Sequence, residues 1–261
     1  MLKSVMDNLQ LLNRNELIQL EPILKDAEEN IFGAIYCPSD ESGSCRDFTI
    51  ELTEICKQKG GKFYFKTTAK DFKIQNDKID KIITNTGDFK ADAYVLSCAA
   101  HSPFLAKKAG DCLPIYPVKG YSVTAPIIDI NMAPAHSGID EDNLLAFSLL
   151  GDKIRFTSVA EISGYDTSYA PEDFTEIVAQ ASSLFPYACD YSNIQYWCGL
   201  RPMTPNGAPI IGKGKLDNLY YNTGHGHLGW TMCAGSAKII TDLISGNKPD
   251  LDLEGMTITS T

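Results

Sequence analysis

The hydrophobic and polar positions of this chain change rhythm along its length, and each change predicts a change of structure. In residues 2–22 (LKSVMDNLQLLNRNELIQLEP), Leu9, Leu12 and Leu20 recur near helical spacing and Pro22 supplies a stop, so the first twenty residues are predicted as helix. Ser44 to Lys59 predicts a second helix, with Phe48, Leu52 and Ile55 four and three apart and Gly60-Gly61 at its end. The period then shortens. Lys62–Phe65, Phe72–Gln75 and Lys78–Asn85 read as short strands, with Asn76-Asp77 and Thr86-Gly87-Asp88 as turns. Ala91–Cys98 (ADAYVLSC) is almost wholly apolar, the pattern of a strand covered on both faces in α/β packing.

From about Leu113 to Cys198 the pattern alternates. Tyr121–Ala125, Ala146–Leu149 and Lys153–Ala160 predict an antiparallel sheet inserted between two α/β pieces. Pro171–Phe185 predicts one helix beside it, with Pro at its first position and Glu172 and Asp173 favoured by the helix dipole. The α/β style then returns. Leu219–Thr223 predicts a strand, Gly224–Gly229 a loop, and Trp230–Ser245 a helix closed by Gly246-Asn247.

Composition narrows the classes. The 261 residues suffice for one large domain or two smaller ones, and 44% hydrophobic with 21% charged residues describes a folded globular chain. A net charge of −10 argues against nucleic-acid binding, which needs a positive surface to displace phosphate counterions. No apolar run approaches the roughly 20 residues of a membrane span, while peripheral attachment stays open. Eight scattered cysteines without a C-x-x-C pair argue against a zinc site and predict reduced thiols in a cytoplasm.

Two segments carry candidate chemistry. GHGHLG at 224–229 satisfies G-x-G-x-x-G between a strand and a helix. A dinucleotide fingerprint also needs a following parallel strand and an acid about 20 positions on; Asp250 and Asp252 have the spacing, but too little chain follows Pro249. The pyrophosphate reading is therefore set aside. Glycines beside a helix start still allow close approach by an anion, or simply tight strand-to-helix packing, and both readings stay open. Ala234-Gly235-Ser236-Ala237 on the following helix predicts a close neighbour. His225 and His227 have no Asp, Glu or Cys within the loop to complete a metal site, so none is expected. Upstream, CGLRPMTPNGAPIIG (198–212) holds three prolines and three glycines, which predict an irregular path, and Arg201 is its only charge. Its planar guanidinium suits a carboxylate bidentately, although a lone arginine is commonly a surface ion pair.

GLRPMTPNGAPIIG together with NLYYNTGHGHLGWTMCAGSAKIITDLISG resembles the carboxy-terminal signature of the D-amino-acid-oxidase-type FAD-dependent oxidoreductases, and within them the bacterial D-amino acid dehydrogenases. LIQLEP, PSDESGSC, KADAYVLS, LPIYPVKGYSVTAPI and AEISGYDT follow in the family's order, so the resemblance covers roughly Leu17 to Gly246. It implies FAD as cofactor and oxidative deamination of D-amino acids to 2-oxo acids and ammonia, by hydride transfer to flavin N5. Arg201 would hold the substrate carboxylate. Gly224, His225, Gly226, His227, Leu228, Gly229, Trp230 and Thr231 would lie against the pyrimidine edge of the flavin, whose reduced form a helix start stabilises. Lys119-Gly120-Tyr121 would lie at the entry to the substrate domain.

The fold class expected is α/β (α+β, two-domain). It comprises an incomplete Rossmann-like FAD-binding domain over 36–112 and 200–261, and an antiparallel-sheet substrate domain over 1–35 and 113–199. The family's first β-α-β unit, with its own G-x-G-x-x-G, has no counterpart here, and Ala99-Ala100 stand where the family places a glycine. The expectation is a truncated form that does not hold FAD tightly by itself, needs a separate amino-terminal FAD-binding segment, and exposes apolar surface that self-associates. The alternatives are a glycine or secondary-amine oxidase of the same family, or a non-catalytic remnant acting as a binding module. The cysteine usage predicts a cytoplasmic chain, and attachment to the inner membrane face and an electron acceptor such as quinone are left open.

Overall fold

Asn13 decides how the chain enters its first helix. Its side chain accepts the Glu16 N–H at 3.1 Å while the Glu16 carboxylate accepts the Asn13 N–H at 2.8 Å, a reciprocal capping box. Helix α1 is therefore only Arg14–Leu20, and strand β1 (Gln10–Asn13) precedes it, pairing antiparallel with β2 (Gly33–Tyr36). This corrects the helix predicted over the first twenty residues: the cap sets the start, and a partner strand claims the residues before it. The computed structural model describes residues 8–258, so the first seven residues of that prediction lie outside the described residues.

Helix α2 (Cys45–Gln58) follows the prediction, with the Ser44 hydroxyl accepting the Asp47 N–H at 3.2 Å. None of its residues is buried; Phe48, Leu52 and Ile55 are 48%, 44% and 46% exposed. The strand predicted at Lys62–Phe65 does not form. Among the described residues no neighbouring strand pairs with it, and an isolated extended segment gains no ladder bonds. Phe63, Tyr64 and Phe65 stay exposed, with the Lys57 ammonium about 6 Å from two of the rings. β3 (Ala69–Gln75), β4 (Lys78–Thr84) and β5 (Asp88–Phe89) form an antiparallel sheet. The turn between the first two places Asn76 at φ +51° and Asp77 at φ +57°, the geometry of a tight hairpin.

The chain divides into two units. The first comprises the chain up to Leu52, Gly120–Ala160 and Thr167–Gly199. It is built on an antiparallel sheet that also takes in the ends of β7 and β11, ordered β11 (Gln195–Met203), β7 (Tyr116–Pro126), β10 (Lys153–Glu161), β9 (Leu145–Leu150) and β8 (Gly138–Asp140). Tyr121, Val123 and Ala125 alternate onto one face with Ile154 and Phe156, where they meet Phe174, Ile177 and Ala181. The predicted helix here begins as a 3-10 turn at Pro171–Phe174 and continues as the helix Thr175–Leu184. Glu21 is buried at 5% exposure and accepts the Ala135 and His136 N–H groups at 3.1 and 3.0 Å, satisfying two loop donors at once.

The second unit comprises Thr53–Lys119, Glu161–Asp166 and the chain from Leu200 on. Its three-stranded sheet has the order β12 (Ile210–Lys213), β13 (Leu219–Thr223), β6 (Tyr94–Leu96), and β13 runs parallel to β6. The strand predicted over Ala91–Cys98 is thus three residues long and covered on one face only. Tyr94 and Leu96 are buried while Val95 is 44% exposed. Helix α3 (Ser102–Lys108) follows β6, α4 is Thr175–Leu184 in the first unit, and α5 (Gly229–Ile244) follows β13. The predicted division falls at 36, 113 and 200, whereas the units divide at 53, 120 and 200, with 161–166 counted in the second. All eight cysteines are free thiols; burial pushes that of Cys189 up to about 11.

Candidate functional site at the carboxyl ends of two parallel strands

Two turns leave the second unit's sheet at the same end. β6 and β13 are parallel, with Tyr94 opposite Leu219 and Leu96 opposite Tyr221, so residues 97–101 and 224–228 both start from carboxyl ends. In an open α/β sheet that is where ligands bind. A buried hydroxyl pair ties the turns together: Ser102 Oγ and Thr223 Oγ1 lie 2.8 Å apart. The Ala99 carbonyl also accepts from Thr223 Oγ1 at 3.3 Å. Neither Ser102 nor Thr223 was singled out from sequence. They are 121 positions apart, and only the parallel pairing brings them together.

The glycine loop is shaped by its neighbours. Gly224 has φ +75°, and a Cβ there would stand 3.0 Å from Thr204 Cγ2 and 3.5 Å from Ile115 Cδ1. Gly226 has φ +56°, and a Cβ there would meet Met203 Sδ at 3.1 Å. Both positions demand glycine by conformation and by packing. The Gly226 N–H donates to the Pro202 carbonyl at 3.0 Å, and the Leu228 N–H to the His225 carbonyl at 3.1 Å, so these two N–H groups serve the loop itself. His225 Nε2 pairs with Ser236 Oγ at 2.9 Å, locking the loop to the third turn of α5. Burial lowers the pKa of His225, which favours the neutral imidazole. His227, Leu228, Trp230 and Thr231 are exposed, and Gly229 is partly exposed in the first turn of the helix. The positive end of the helix dipole lies at that turn, and the Met232 N–H donates to the Leu228 carbonyl at 3.0 Å. A Cβ on Gly235 would meet nothing within 4 Å among the described residues, so the close neighbour predicted at that position is not found.

Arg201 lies on β11 and not on an irregular segment. The ladder claims Gln195–Met203 before Pro205 and the Asn206-Gly207 turn end it. Strand alternation puts Arg201 on the side of β11 that carries Trp197 and Gly199, opposite the core residue Cys198. Burial lowers its pKa, yet a guanidinium stays charged. Next to the glycine loop is a cavity of about 390 Å³ lined by Leu113, Pro114, Ile115, Tyr116, Met203, Thr204 and Pro205. Thr204, Ile115 and Met203 serve both features, since they line the cavity and abut Gly224 and Gly226.

A flavin ring is planar and largely apolar, and its pyrimidine edge gains negative charge on reduction. An apolar slot against the glycine loop that leads into a helix start suits both demands, so these residues fit the ring end of such a cofactor. Among the described residues, no group of three or more His, Cys, Asp or Glu side chains could hold a metal ion. No described helix is long and apolar enough to cross a membrane.

Known proteins resemble this chain in family, in sequence and in fold. The family model described as FAD dependent oxidoreductase, DAO, matches residues 2–243. D-amino acid dehydrogenase 2 of Mesorhizobium japonicum is 42% identical over 249 residues, which are 95% of this chain and 60% of that protein. D-amino acid dehydrogenase of Vibrio atlanticus is 41% identical over 94% of this chain and 58% of its own length. The chain thus spans about 60% of the length of the curated relatives it matches. In fold it is similar to glycine oxidase from Geobacillus kaustophilus, with TM-score 0.89, 22% identity and coverage of 99% of this chain and 69% of that one. L-proline dehydrogenase from P. horikoshii gives TM-score 0.84 at 22% identity, over 95% of this chain and 67% of that one. With a match over nearly its whole length and relatives above 40% identity, the chain belongs to the DAO family of FAD dependent oxidoreductases.

Proposed function

We propose that this chain carries the flavin-ring end and the substrate-recognition half of an FAD-dependent D-amino acid dehydrogenase. The observation that carries the reading is the shared cradle in the second unit. There the glycine loop that leads into α5 and the apolar cavity meet on Thr204, Ile115 and Met203. The second unit is the FAD-binding domain and the first is the substrate domain. The relatives that share about 40% of its residues are D-amino acid dehydrogenases, which supports this substrate class.

FAD, when bound, supplies the acceptor for the hydride that leaves the amino acid's α-carbon. The chain's own residues do the rest. The first turn of α5 offers the positive end of its dipole to a negative ring edge. Apolar Leu113, Pro114 and Ile115 keep water from one side of the slot. Arg201, charged at every working pH, pairs with the substrate carboxylate and fixes the α-carbon, which is catalysis by orientation. Loss of the hydride and an amine proton leaves an imine, which water hydrolyses to a 2-oxo acid and ammonia. No protein base is required.

Two measurements test the reading. Titration of the purified chain with FAD should give saturable quenching of flavin fluorescence, and a strictly linear response would remove it. In the active enzyme, Arg201→Ala should cut kcat/KM for D-amino acids by a factor equivalent to about 2–5 kcal/mol. Unchanged kinetics would take Arg201 out of the site. A panel including glycine and secondary amines reports whether the substrate class is the one proposed.

A further inference from the structure

The turn after β6 is held in a conformation its own sequence does not favour. Ala99 has φ +47°, in the left-handed region, where the Cβ of an alanine crowds the following carbonyl oxygen. Ser97, Cys98 and Ala99 are exposed at the carboxyl end of the strand, while Ala100 is buried. Such a turn persists only where its surroundings fix it. The turn's own backbone bonds, His101 N–H to the Cys98 carbonyl at 2.9 Å and Ser102 N–H to the Ala99 carbonyl, are joined by two hydroxyls. The Thr223 hydroxyl donates to the Ala99 carbonyl at 3.3 Å, and the Tyr165 hydroxyl donates to the Ala100 carbonyl at 2.9 Å. Thr223 is the residue before Gly224, so one side of the turn is already tied to the candidate loop.

Tyr165 belongs to the short segment Glu161–Asp166, flanked in sequence by residues of the first unit but counted in the second. Gly164, at φ +65°, bends the chain just before it. The Tyr165 ring packs on Phe104 and His101, with centroids 4.9 and 5.4 Å away. The ring is thus seated independently of its hydroxyl, which leaves the hydroxyl to orient the turn. Burial raises the phenol's pKa, so it remains a donor through the physiological range.

We propose that Tyr165 is a positioning residue for the flavin site, its hydroxyl holding the strained Ala99–Ala100 turn in the shape that faces the ring. This rests on the function proposed above. It assigns a role to the Gly-Tyr of AEISGYDT that neither charge nor reactivity would suggest. The turn leaves the carboxyl end of β6 with Ser97, Cys98 and Ala99 exposed, and its aim depends on where its two carbonyls are pulled. Each peptide plane is rigid, so fixing a carbonyl also fixes the N–H across it.

A double-mutant cycle on the full chain, read by FAD titration, tests the proposal. Tyr165→Phe keeps the ring contacts and removes the donor. It should weaken FAD binding about fivefold and alter the visible absorption envelope of the bound flavin, while circular dichroism stays that of the wild type. Ala99→Gly relieves the strain. In that background Tyr165→Phe should weaken binding less than twofold, because the turn no longer needs holding. A purely structural tyrosine would lower thermal stability equally in both backgrounds and leave the bound-flavin spectrum unchanged. Equal FAD affinity for wild type and Tyr165→Phe, or the same factor in both backgrounds, would overturn the inference while leaving the function standing. A wild type that binds no FAD would remove the function, and the inference with it.

Discussion

Single residues here show how burial turns ordinary side chains into fixtures. His225 would titrate near pH 6.5 in an unfolded chain, and burial lowers that value in the folded one. Between the two values the unfolded chain binds a proton that the folded chain refuses, so stability falls as pH drops below about 6.5. Denaturant melts at pH 7.5 and 5.5 should show a larger loss for wild type than for His225→Gln. Equal losses would show that the His225–Ser236 contact carries no proton linkage. Arg201 was legible as a candidate from residue type alone, because a lone guanidinium amid prolines and glycines stands out. Ser102, Thr223 and Tyr165 were not legible. A hydroxyl is informative only once its partner is known, and those partners are 121, 124 and 65 positions away.

Among elements, strength of local code decided what could be read. The hairpin at Asn76-Asp77 and the helix after Ser44 carry their own turn and cap residues, and both formed as expected. Lys62–Phe65 and the ends of Ala91–Cys98 had strand-like composition without a partner strand among the described residues, and a strand is a property of two segments. Glycine behaves the same way. Gly224 and Gly235 sit eleven positions apart, around and within one helix, yet their environments are opposite. Gly224→Ala meets Thr204 and an unfavourable φ, and should cost about 2 kcal/mol in thermal or denaturant unfolding. Gly235→Ala, in the interior of α5 with open space around its Cβ, should gain about 0.5–1 kcal/mol. Equal effects would mean that packing at the loop does not set its need for glycine.

At the level of the whole molecule, apolar exposure is the dominant physical fact. Phe63, Tyr64 and Phe65 are 41%, 56% and 72% exposed, and α2 buries none of its residues. Apolar surface of this kind favours association in water. Sedimentation velocity over a concentration series should show self-association, and a Phe63→Ser, Phe65→Lys double variant should shift the distribution toward monomer. A wild type that stays monomeric at high concentration would show that this surface is not adhesive. Sequence by itself determined the family, through motifs that keep their order over most of the chain. It also determined the α/β and antiparallel segments and the tight turns, because each is written in neighbouring residues. Tertiary structure alone decided that Gln10–Asn13 pairs as a strand with Gly33–Tyr36, that Arg201 sits on a strand, and that the glycine loop is shaped by Thr204, Ile115 and Met203. It also set the Ala99 turn under Thr223 and Tyr165. These are contacts between distant segments, and distance along the chain carries no record of them until the backbone closes.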